Sequence, residues 1–287
     1  MAIVLGANQY GKAEVRLLHV GRGEAADVIT DLNVSVALSG ELTATHLSGD
    51  NSAVLTTDAQ KNTVFAFAKQ GGVGEIEDFA LRLATHFVAA QAAISFARVT
   101  VEQYPWEQLA GHSFARSGRE VRTATVSHDG TDSWVVSGVT GLTVLNTAGS
   151  EFWGFARDRY TTLAETTDRI LATAVSARWR HASAAASASC WADSYRAARD
   201  LLLEAFADTH SYSLQQTLYA MGARVLEGRP EIAEVRLSLP NKHHFEVDMS
   251  PFGLENGGEV FYAADRPYGL IEGSVRRDDA PPPGHAW

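Results

Sequence analysis

The chain has 287 residues, of which 45% are apolar and 20% charged, so it can build one large domain or two ordinary ones and is not a disordered chain. Its net charge is −10, from 24 basic and 34 acidic residues with the basic ones unclustered, which makes nucleic acid and anionic membranes poor partners. The start "MAIVLGANQYGK" lacks a signal-like apolar segment, no run approaches the ~20 apolar residues of a membrane span, and the one cysteine, Cys190, cannot form an internal disulfide, so a cytoplasmic protein is expected.

"YGK" at 10–12 leads into "AEVRLLHVG" and then "DVITDLNVSVAL", whose near-alternation of branched apolar residues predicts two strands. Between them, "GRGEAA" matches a dinucleotide fingerprint, but a strand follows where that fingerprint needs a helix, so a hairpin turn is expected. In "VLTTDAQKNTVFAF", Thr57 and Gln60 have capping-box spacing, which predicts a helix N-terminus with Thr57 as its cap. A second helix follows, with Ile76, Phe79, Leu83 and Phe87 on one face. "ISFARVTVEQY" and "REVRTATVS" read as two further strands.

From about Asp132 the grammar repeats. "SWVVSGVTGLTVLNT" and "TAVSARWRH" read as strands, and "DSYRAARDLLLEAFA" and "SLQQTLYAMGARVL" as helices. The second of these helices carries Leu214, Leu218, Met221 and Val225 on one stripe, and "EIAEVRLSL" and "HHFEVDMS" close the half as strands. Each half is thus two strands, two helices and two strands, an internal duplication with a first domain at 1–131, a second at 132–275 and a loose polar tail at 276–287.

Four stretches could carry chemistry. Lys12 precedes a strand, where a solvated edge lysine is the plainer reading of the residues alone. Ser213 and Gln216 form a second capping box, which puts Gln215 in a first turn whose free amides favour an anion. In "PNKHHFEVD", strand alternation puts Asn241 and His243 on one face and Lys242 and His244 on the other. "EFWGFARDRYTTLAETTDR" offers a ring for stacking and an arginine for a bidentate contact, or simply a hydrophobic loop anchor. The scattered histidines have no metal-ligand spacing.

Taken in order, Tyr10-Gly11-Lys12, Thr57-Asp58, Phe152 to Phe155 with Arg169 downstream, Ser213 to Tyr219, and Asn241 to His243 resemble the urate oxidase (uricase) family over nearly the whole chain. Two positions depart from its usual pattern: Asn146 stands where a lysine is common, and His244 where a tyrosine is common.

The resemblance implies an α+β protein of two tandem T-fold (tunnelling fold) domains, each a four-stranded antiparallel sheet backed by two helices. Two subunits would close a barrel, and two barrels would stack into a homotetramer with active sites at subunit interfaces. It also implies oxidation of urate by O2 and water to 5-hydroxyisourate and hydrogen peroxide, with no metal and no cofactor. Lys12, uncharged through burial and neighbouring positive charge, would draw a proton through the Thr57 hydroxyl, with His243 as proton relay. Phe152 would stack on the substrate, Arg169, Gln215 and the Leu214 amide would grip its six-membered ring, and Thr57 and the Asp58 amide its five-membered ring. Asn241 would hold O2 or water. A T-fold enzyme acting on pterins or GTP, or a purine-binding module without activity, is the alternative; such enzymes rely on clustered histidines, which this sequence lacks.

Overall fold

A computed structural model describes residues 1–23, 26–184, 191–264 and 266–287; Cys190 lies outside the described residues. The chain runs β1 (Tyr10–Gly21), β2 (Val28–Gly40), α1 (Thr43–Ser48), α2 (Thr57–Gly71), α3 (Ile76–Ala90), β3 (Ile94–Tyr104), β4 (Trp106–Ala110), β5 (Ser113–Arg116) and β6 (Val121–His128). It continues with β7 (Ser133–Asn146), β8 (Leu171–His181), α4 (Trp191–Asp208), α5 (Leu214–Gly228), β9 (Ile232–Asn241), β10 (His244–Glu246), β11 (Phe261–Ala263) and β12 (Gly269–Arg276). Eight strands form one antiparallel sheet in the order β1-β2-β3-β6-β7-β8-β9-β12. The sheet is open in the single chain, with β1 and β12 as its edges.

Alternation builds this sheet. On β2, Leu32, Val34, Val36 and Leu38 are buried under the helices, while Asn33 and Ser35 face the opposite, polar side. On α3 the stripe Ile76, Phe79, Leu83 and Phe87 is wholly buried, and on α5 Leu214, Leu218, Met221 and Val225 are buried. Two apolar cores result: one gathers β1, β2, β3, β6, α2 and α3, the other β7, β8, β9, β12, α4 and α5. β1 and β2 pair antiparallel up to Gly21 opposite Val28, while Glu24 and Ala25 of "GRGEAA" lie outside the described residues.

Two expectations are corrected. "HHFEVDMS" is not the last strand of the second half; His244–Glu246 pairs only with β11 in a small hairpin, and the fourth sheet strand is β12. In both halves a short hairpin, β4–β5 or β10–β11, sits between the third and fourth sheet strands. The tail is not loose either. Arg98 donates to the carbonyls of His285 and Trp287, Arg180 donates to Pro281, and Trp287 lies 3.9 Å below the Arg236 guanidinium. Its proline and glycine content marks a chain without regular structure, but arginines of the polar sheet face hold its carbonyls.

A buried polar cluster joins the halves. Glu77, at the start of α3, is fully buried; it accepts 2.7 Å bonds from Arg122 of β6 and from the Ser137 hydroxyl of β7. Ser137 also meets Nε2 of His181 on β8 at 3.0 Å, and burial pushes the His181 pKa down to about 4. His181 packs edge-on against Trp191, whose indole donates to Asp78. Glu77→Ala removes the acceptor that Ser137 and Arg122 share; Arg122 keeps its 2.7 Å bond to Glu75, so a loss of about 2 kcal/mol is expected. Urea unfolding is expected to show that loss; a change below about 1 kcal/mol would contradict the linking role.

Candidate active site

Residues from the first half come together at the sheet edge. The backbone of β1 approaches β2 so closely at Gly11 that a Cβ there would lie 1.8 Å from the Val36 carbonyl oxygen, so "YGK" needs its glycine. Just beyond, the β1–β2 register slips between Lys12 and Val15 in a bulge, with Glu14 at φ 57° and its amide bonded to the Ser35 hydroxyl. Bulges of this kind re-aim neighbouring side chains. Lys12 is half-buried in the single chain. It lies near Asp58, whose carboxyl is held below its usual range first by the hydrogen bond from Lys61, then by the Lys61 charge, with Lys12 a smaller contributor.

The helix cap differs from the one expected by one residue. Thr56, not Thr57, is the N-cap of α2; its backbone is extended and its hydroxyl accepts from the Ala59 amide at 3.1 Å. The Gln60 side chain donates to the Leu55 carbonyl rather than reaching back to a cap amide. With two adjacent threonines, the first satisfies the helix end. The Thr57 hydroxyl is therefore not used in capping, and the Thr57 and Asp58 amides are among those a helix leaves without internal partners. Both residues are exposed.

A second group forms around the loops that enter β8 and α5. Ser150 bridges to Ser211, and Phe152 to Thr166. The Arg169 guanidinium lies 5.0 Å from the Phe152 ring centre, and Phe155 stacks on that ring at the same distance. Asn241 closes β9 opposite Thr173 on one side and Gly269 on the other, which brings it to the sheet end where β8 starts. His243 stacks with Phe245 at 5.8 Å, and its pKa is lowered first by burial, then by the Arg169 charge. Ser213 caps α5, accepting from the Gln216 amide, while the Gln216 side chain reaches back to the Tyr212 amide. Leu214 is buried and Gln215 exposed, and the Ser150–Ser211 bridge joins the loop that leads into α5 to the loop that carries Phe152.

The fold therefore gathers Phe152, Arg169, Gln215, Leu214, Asn241 and His243 in one region, and Lys12, Thr57 and Asp58 in another. β1 lies five strand steps from β8 and six from β9, roughly 25–30 Å along the sheet at ~4.8 Å per step. His243 and His244 fall at the junction of β9 and β10. His244 there turns its Nδ1 to the Lys242 carbonyl at 3.1 Å, apart from the His243–Phe245 stack. Asn146 donates to the Phe206 carbonyl and takes no part in either group. A cavity of about 650 Å³ lies elsewhere, on the polar sheet face by Ser176, Arg178, Arg236 and Ser238.

An uncharged imidazole beside a guanidinium can accept a proton near neutral pH, where an ordinary histidine is partly charged already. Replacing Arg169 by Gln removes the positive neighbour. The His243 titration, followed by NMR of the imidazole resonances, is expected to move up toward pH 6.5 while the burial contribution persists. A midpoint that does not move would mean the two side chains are not electrostatically coupled.

The sequence profile of the uricase family matches residues 8–127 and 135–272. The chain is 52% identical to the uricase of Arthrobacter globiformis over 278 residues, covering 96% of this chain and 91% of that one. It is 38% identical to the uricase of Aspergillus flavus, covering 94% and 96%. The crystal structure of uricase from Arthrobacter globiformis superposes with a TM-score of 0.94 at 51% identity over 98% of each chain. The crystal structure of a uricase from Bacillus fastidious shares the fold at 24% identity, with a TM-score of 0.83.

Proposed function

The chain belongs to the uricase family, and from that premise we propose that it oxidises urate with O2 and water to 5-hydroxyisourate and hydrogen peroxide, without metal or organic cofactor. The observation that carries this reading is the convergence of Phe152, Arg169, the Gln215 loop and the Asn241–His243 corner in one region. Ground-state O2 is a triplet and reacts slowly with closed-shell molecules. A protein can overcome this by taking protons from the substrate, which then releases electrons one at a time.

Phe152 stacks on the purine plane. Arg169 trades its place over Phe152 for a charge-assisted bidentate grip on the six-membered ring, helped by Gln215 and the Leu214 amide. Thr57 and the Asp58 amide hold the five-membered ring at the α2 N-terminus. Lys12 draws a proton through the Thr57 hydroxyl, Asn241 holds O2 or the attacking water above the ring, and His243 relays protons.

The two groups are too far apart along one sheet to touch a single two-ring ligand. That separation supports a site shared between subunits, Lys12 and Thr57 coming from one and Phe152, Arg169, Gln215, Asn241 and His243 from its partner. Tandem T-fold units dividing near 131/132 fit the two apolar cores and the break at 128–134 in the family match. On this reading the open edges β1 and β12 meet their counterparts in a second copy to close a barrel, and two barrels form a tetramer.

The test is loss of the urate ultraviolet band with matching O2 uptake by chelator-treated protein. Binding of urate with no O2 uptake would point instead to a purine-binding module, and no binding would end the reading.

A further inference from the structure

We propose that Glu151 and His210 form a positioning clamp that sets the spacing between the Phe152 loop and the Gln215 loop; this rests on the urate-binding roles given to those two residues. Nε2 of His210 meets Glu151 Oε1 at 2.7 Å, across 59 residues of sequence. The other carboxylate oxygen accepts from the Trp153 indole at 2.6 Å. Both acceptors of Glu151 are thus engaged, and its carboxyl is held below the usual range first by the His210 hydrogen bond, then by that of Trp153.

The backbone runs the same connection in parallel. The Glu151 amide donates to the Ser211 carbonyl at 2.7 Å, and the Ser211 amide to Gly149 at 3.0 Å. Ser211 is fully buried, and its hydroxyl accepts from Thr217 on α5. Glu151 therefore immediately precedes the ring that stacks, and His210 lies five residues before Gln215. The pair joins the two arms by side chains as the Ser150–Ser211 bridge joins them by main chain. The Gly149 amide also donates to the Asp168 carboxylate, which ties the residue before Arg169 to the same loop.

Glu151 is 19% exposed and His210 51%, so solvent screens the charge and the clamp works through geometry more than through Coulomb energy. Its Nε2–H donor persists in the neutral imidazole, so the link does not require a charged histidine. Neither side chain touches the Lys12–Thr57 group. Loosening the clamp weakens the grip on ground state and transition state alike, which raises KM and leaves kcat nearly unchanged.

The test compares Glu151→Ala, His210→Ala, the double variant and His210→Gln in steady-state urate oxidation, with xanthine binding as a non-reacting probe. Each alanine variant is expected to raise KM and the xanthine Kd about five- to tenfold with kcat within about twofold. The double variant should be no worse than the poorer single one, because one link is lost in all three. His210→Gln, whose amide can still donate to Glu151, should recover most of the affinity. Unchanged KM, additive losses, or no recovery by glutamine would overturn the clamp while leaving the urate reading intact. Wild-type protein that neither binds nor oxidises urate would overturn both.

Discussion

Lys12→Met is expected to lower kcat on urate by about 10²- to 10³-fold while KM changes by less than about threefold. Methionine keeps the length and most of the packing of lysine but can neither accept nor give a proton, so the change isolates the chemistry. Lys12 is placed by two backbone features, the close approach at Gly11 and the bulge before Val15, neither of which depends on the ammonium group. Thr57, beside the Asp58 that Lys12 lies near, has a hydroxyl that the helix does not use, because Thr56 provides the cap. The proposed proton path from substrate through Thr57 to Lys12 therefore does not compete with the helix cap. The measurement is O2 uptake against urate concentration, with assembly checked by size. A Lys12→Met protein of native size and undiminished kcat would remove Lys12 as the base.

The main strands and helices are legible in the sequence because they are half-buried and periodic. Leu32, Val34, Val36 and Leu38 alternate, and Ile76, Phe79, Leu83 and Phe87 repeat at helical spacing, so pattern and burial coincide. β12 was missed for the opposite reason. "GLIEGSVR" is an edge strand with two glycines, Val275 is its one buried residue, and Leu270 is 55% exposed. "HHFEVDMS" shows the cleaner alternation yet pairs with a three-residue strand, because alternation reports a two-sided surface and not which sheet that surface joins. The tail misled through composition. Its prolines and glycine preclude helix and sheet, but they do not prevent Arg98, Arg180 and Arg236 from holding it.

The site was legible where one short motif carries its own geometry. Ser213 caps α5 as its spacing requires, whereas strand alternation is no guide at 241–244, because β9 ends at Asn241, β10 starts at His244, and Lys242 and His243 lie between them. At 56–57 the sequence holds two equivalent caps, and only the backbone decides which threonine turns helical. Glu151 and His210 left no local signal at all. They belong to loops 59 residues apart, and neither residue type nor local spacing marks the pair.

Mixing two inactive variants is expected to restore activity if the site is shared. Lys12→Ala and Arg169→Ala proteins should each be nearly inactive alone, since on the proposed reading one lacks the base and the other the grip. Unfolding and refolding them together makes dimers by random pairing, roughly half of them hybrids. In a hybrid, one site receives both substitutions, while the other combines intact Lys12 with intact Arg169. About a quarter of all sites should then recover wild-type turnover. Simple mixing without unfolding should restore far less, because an obligate interface exchanges slowly. The expectation follows from the sheet itself: β1 and β9 lie six strands apart, and both sheet edges are open. If the refolded mixture has native size and remains inactive, Lys12 and Arg169 do not serve a common interfacial site.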